Sequence, residues 1–101
     1  MAKDGGSPMK LMPVKQAQAK LLNAMVDKGA VALTLATFKK DRSLTLRREE
    51  GGWELEERGF ANAITPLDAG APGKRLIKEA FKREFPRSNK LYLAEVRADA
   101  G

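Results

Sequence analysis

Lys74, Arg75, Lys78 and Lys82 recur at helical spacing, and Arg87 and Lys90 follow within a few residues, so cationic side chains are set out along one short stretch of chain. Ammonium and guanidinium groups on one surface do one kind of chemistry well: they neutralise the phosphates of a polyanion and release its condensed counterions. From Lys74 to Lys90 there are seven of the nineteen Lys and Arg residues against only Glu79 and Glu84, which leaves +5 of the chain's net charge of +6 in that stretch. The positive excess is therefore local, and it is the most outward-pointing feature of the sequence. A smaller basic group, Lys39, Lys40 and Arg42, falls in a polar turn and widens the footprint if folding brings it near. The expected nucleic-acid contacts are Lys74, Arg75, Lys78, Lys82, Arg87, Lys90, Lys39, Lys40 and Arg42. The bland counterpart is a lysine-rich face that only keeps a helix soluble.

Other chemistries are poorly supplied. The chain has no cysteine and no histidine, which removes thiolate nucleophiles, disulfides, the usual general base at neutral pH and the two commonest transition-metal ligands. No catalytic residue, metal ligand or cofactor is expected, and the protein reads as a non-enzyme. Ala69-Gly70-Ala71-Pro72-Gly73-Lys74 looks like the end of a phosphate-cradling loop, but Asp68 and Arg75 stand where that motif needs glycine and a hydroxyl. What survives is the start of a helix whose free N–H groups, beside Lys74 and Arg75, suit a general anion. The carboxylates Glu49, Glu50, Glu54, Glu56 and Glu57 crowd around one strand, where alternation sends them mostly to solvent. Trp53 alternates with Leu55 and reads as a core anchor, not a stacking platform.

These residues need elements to hold them. Val14, Ala17, Leu21, Leu22, Met25 and Val26 make one sticky face of a helix from Pro13 to Lys28, with Pro13 at its first position and Gly29 as a left-handed cap. Three strands follow, Ala30 to Phe38, Ser43 to Arg48 and Trp53 to Arg58, the last two joined at Gly51-Gly52 so that Arg47 comes near Glu54 or Glu56. Gly59 to Gly73 reads as a long connection containing one capped helical turn at Thr65-Pro66-Leu67-Asp68. Lys74 to Phe85 is a strongly amphipathic second helix stopped by Pro86, and Leu91 to Arg97 is a strand that is either central or at an edge.

The α-β-β-β-α portion and the Lys74-Arg75-Leu76-Ile77-Lys78 spacing resemble the double-stranded RNA-binding domain, whose second helix opens with basic residues at that spacing to straddle a groove. The resemblance implies duplex recognition by shape. The chain departs from it in having no histidine in the turn between its first two strands and a further strand after the second helix.

The expected class is α+β, in the order α-β-β-β-α-β, with a mainly antiparallel four-stranded sheet and both helices packed on one face. The core should comprise Leu21, Met25, Leu33, Leu35, Leu44, Leu46, Trp53, Leu55, Ile77 and Phe81. Residues 1–12 read as a flexible leader, 13–97 as one domain and 98–101 as a tail. No apolar run is long enough to span a membrane, and the Gly/Ser-rich start lacks the apolar core of a secretory signal, so the expected location is cytoplasmic. Besides nucleic acid, the opposition of acidic hairpin and basic helix suits a non-enzymatic adaptor or subunit that docks an acidic protein partner or uses the polar sheet face.

Overall fold

Leu33 and Leu35, Leu44 and Leu46, and Trp53 and Leu55 repeat at every second position, a spacing that puts each pair on one side of an extended chain. In the computed structural model, which describes residues 9–26, 29–37, 39, 41–50, 52–59, 61–67 and 70–97, they lie on three neighbouring strands: β2 (Ala30–Ala36), β3 (Ser43–Glu49) and β4 (Gly52–Arg58). The register aligns Leu33 with Leu46 and Leu46 with Leu55, so the three rows of side chains form one dry face. Lys40, Gly51 and Asp68, each assigned a role by the sequence, lie outside the described residues.

The sheet has six strands, not the four expected. Its order is β1-β6-β2-β3-β4-β5, antiparallel throughout, with β1 at Lys10–Pro13, β5 at Ala63–Leu67 and β6 at Lys90–Arg97. The two unforeseen strands are the two edges. β1 takes Lys10, Leu11 and Met12 out of the stretch expected to be a leader; with four residues and one buried side chain, Met12, it is too short to show a period. β5 occupies the stretch read as a helical turn. Pro66 made that segment look unlike a strand, yet β5 pairs only with β4, so the missing N–H breaks no ladder on its free side.

The chain order is thus β-α-β-β-β-β-α-β, with four strands between the helices where the duplex-RNA-binding resemblance implied three. β6, whose place the sequence left open, is internal and runs between β1 and β2. Both helices lie on one face. α1 (Val14–Ala24) covers β2 and β6, and α2 (Ala71–Glu84) covers β3, β4 and β5. All ten residues expected in the core are buried, joined by Met12, Leu67, Phe85, Leu91 and Leu93.

Two expectations about α1 fail locally. Pro13 closes β1 and serves as N-cap instead of first helical residue, and the helix stops at Ala24 with Met25 still near helical geometry (φ −69°, ψ −21°). Gly29 is therefore no helix cap. A Cβ there would meet only the end of the Arg97 side chain, at 2.6 Å, which can move aside.

Candidate functional site

α2 begins three residues ahead of Lys74, at Ala71, with Gly70 as N-cap and Pro72 in the first turn. Gly73, Ile77, Ala80, Phe81 and Glu84 are its buried residues, and Phe81 packs edge to face on Phe85, the next residue after the helix, with centroids 5.1 Å apart. This stripe fixes the helix's rotation. At 100° per residue, Lys74, Lys78, Lys82 and Arg75 then fall within an arc of about 100° on the far side, spread over a rise of about 12 Å. All four are exposed, and none of them is ion-paired with a described residue. Lys74 lies in the second turn, its N–H already donated to the Gly70 carbonyl at 3.2 Å, so the expected anion site at the helix start loses that donor.

The cation that the sequence counted in the same run but that behaves differently is Arg83. It leaves the outer face and makes a two-pronged pair with Glu57, Nε to Oε2 and Nη2 to Oε1, each at 2.8 Å. Glu57 is only 5% exposed, a correction to its placement on a solvent-facing acidic patch: it shares parity with Trp53 and Leu55 and so points under α2. The Arg83 guanidinium holds the Glu57 carboxyl below the usual glutamate range, burial opposes this, and a hydrogen bond from the Glu84 side chain reinforces it. Glu84, itself fully buried, accepts the Ala61 N–H at 2.9 Å, while its backbone carbonyl accepts a longer hydrogen bond from Arg42 at 3.4 Å.

Arg42 is thereby placed as a half-buried strut beneath the end of α2, apart from the exposed cations of the helix. Gly59, with φ +135°, lets the chain pass between them; a Cβ there would sit 2.6 Å from both Arg42 Cγ and Glu84 Oε1. Lys39 and Lys90 are brought together beyond the helix, where they line a cleft of about 570 Å³ with Leu11, Thr37, Asp41, Ser88 and Asn89. Asp41 accepts the Thr37 hydroxyl at 2.8 Å, a hydrogen bond that lowers its pKa and keeps a negative charge in the same cleft. Arg87 is exposed in the turn after α2, between the helix and Lys90. Lys40 lies outside the described residues.

On the sheet face turned away from the helices, the expected cross-strand ion pair takes both candidate partners: Arg47 bonds Glu56 at 2.7 Å and Glu54 at 3.0 Å, and Arg58 also reaches Glu56. Arg47, then Arg58, lowers the Glu56 pKa. Trp53 is buried, with the Arg48 guanidinium 4.8 Å above its ring, which fits an anchor at the sheet margin. Among the described residues no three acidic groups converge to hold a metal ion, and no helix is long and apolar enough to cross a membrane. The parity of Glu57 was the one signal in the sequence that pointed to the Glu57–Arg83 contact. Searches against protein-family models, curated proteins and solved structures find no match to this chain, so its function has to be argued from its own geometry.

Proposed function

We propose that this is a non-catalytic protein that binds nucleic acid through the outer face of α2, with Lys74, Arg75, Lys78 and Lys82 as phosphate contacts and Arg87, Lys90 and Lys39 extending the footprint around the helix's C-terminal end. The observation that carries this reading is the contrast in partners: the four helix cations share one exposed arc with no carboxylate of a described residue on any of them, whereas Arg83 and Arg42 are engaged inside the fold. Four exposed charges along about 12 Å match a run of backbone phosphates better than a single small anion. Three of the four are lysines, which meet phosphate as point charges, so binding should be salt-sensitive and weakly selective for sequence.

The test is a titration of short RNA and DNA duplexes against salt. With four phosphates neutralised, affinity should fall about a hundredfold between 50 and 200 mM salt, and Lys78→Ala or Lys82→Ala should each remove about one unit of the log–log slope. Absence of measurable binding to either duplex at 50 mM salt would refute the reading.

A further inference from the structure

The helices cover one side of the sheet, and no described helix or strand covers the other. Its side chains follow from the register as three cross-strand rows: Tyr92, Ala36, Ser43 and Arg58; Ala94, Thr34, Thr45, Glu56 and Ile64; Val96, Ala32, Arg47, Glu54 and Pro66. Toward β1 and β6 this surface is small and apolar; toward β4 it carries two arginines and two glutamates that neutralise one another. Leu11, Ile64 and Val96, three of the five large apolar side chains most exposed among the described residues, lie on it. The Thr34 and Thr45 hydroxyls bond each other at 3.0 Å, which satisfies one of their two O–H donors at the middle of the face. A surface with no excess charge is a poor seat for a polyanion. The exposed apolar side chains on β1 and β6, Leu11 and Val96 beside Tyr92 and Ala94, are of the kind that marks an interface.

We infer that a second copy of this chain covers the open face, sheet against sheet, about a twofold axis that crosses the strands at right angles over the row from Ala94 to Ile64. That operation lays every strand over its own copy running the opposite way, exchanging the two outer rows and setting the middle row on itself. Tyr92 meets the partner's Val96 and Arg58 the partner's Glu54, while two copies of Ala94 and two of Ile64 meet on the axis; the two copies of Glu56 that also meet there are each neutralised by Arg47 and Arg58 of their own chain. The size is adequate. Six strands about 4.8 Å apart and about six residues long make a rectangle of roughly 29 by 20 Å; with side-chain relief this approaches the ~800 Å² per partner of a standard interface. Face-to-face stacking about 10 Å apart is the ordinary spacing of two packed sheets.

The edges favour this over lateral growth of the sheet. β1 ends in Pro13 and begins with Lys10, and β5 carries Pro66, which are devices that discourage a further strand from pairing. Both α2 helices would face outward on opposite sides of such a dimer, so self-association leaves the four cations of the helix arc open, while Lys90, which shares the parity of Tyr92 and Ala94, lies at the border of the covered face.

Sedimentation of the full chain over about 1–500 µM tests the proposal. The expected result is a species of twice 11.1 kDa. Ala94→Arg, which sets two guanidinium groups against each other on the axis, should raise its dissociation constant at least a hundredfold with an unchanged circular dichroism spectrum. Arg58→Glu should weaken the dimer and Glu54→Arg added to it should restore part of the loss, a rescue that misfolding would not produce. A monomer throughout that range, or a dimer indifferent to Ala94→Arg and to the charge exchange, would overturn it.

Discussion

The outer face of α2 and the junction under its C-terminal end carry charges of the same kinds and differ in arrangement. Lys74, Lys78 and Lys82 are four residues apart, so the helix stacks like charges along one line in water, where each keeps its hydration. Arg83 is one residue past Lys82, and that 100° step takes it off the line and toward Glu57. At the junction, Arg83, Arg42, Glu57 and Glu84 are knitted to one another and to the Ala61 and Glu84 backbone. The outer cations serve recognition at little structural expense, and the junction fixes the helix that presents them. Charge counted along the sequence does not separate the two roles; direction from the backbone does.

The largest expected effect is at the junction's narrowest point. Gly59→Ala forces a Cβ to within 2.6 Å of the Arg42 side chain and the Glu84 carboxylate, and 3.0 Å of the Arg42 backbone, at a φ of +135° that side chains rarely adopt. Backbone strain and the clash together should remove about 2–4 kcal/mol, read as a lowered urea midpoint. A midpoint unchanged within error would mean that the chain passes Arg42 and Glu84 less closely than described. The contrasting change, Lys78→Ala, should leave stability within about 0.5 kcal/mol while weakening duplex binding, since Lys78 is exposed and pairs with no described carboxylate.

This contrast also explains what was legible in the sequence. Amphipathic spacing gave the helices, alternation gave β2, β3 and β4 with their dry face, and both came from dense apolar repeats such as Leu33/Leu35 and Leu44/Leu46. The cationic arc followed from the same periodicity. The edge strands were not legible, because Lys10–Pro13 and Ala63–Leu67 bury one side chain each, Met12 and Leu67, and their identity lies in ladder hydrogen bonds to β6 and β4. Nor was the fate of Arg42, which depends on the β2–β3 turn arriving beneath Glu84, 42 residues away in sequence. Periodicity reports which face of an element is wet; it does not report which distant element will cover a charge.

A smaller effect is expected at the Glu57–Arg83 pair, and it carries a pH signature. Arg83 holds the folded-state pKa of Glu57 below the ordinary value of 4.5, so folding favours the ionised form. The stability this contributes is fully present above about pH 4.5, where Glu57 is ionised folded or unfolded, and is lost as the pH falls through 4.5 toward the folded-state value. Arg83→Ala should therefore lower stability by about 1–2 kcal/mol at pH 7, a figure reduced because Arg83 is 42% exposed and partly screened. In an acid titration of the urea midpoint, wild type and variant should converge as Glu57 takes up its proton. Lys78→Ala should run parallel to wild type across the same range, because its ammonium pairs with no described carboxylate. Curves for Arg83→Ala and wild type that stay equally separated from pH 7 to pH 3 would show that Arg83 acts through packing alone, and the division between a recognising face and an anchoring junction would then rest on burial, not on charge pairing.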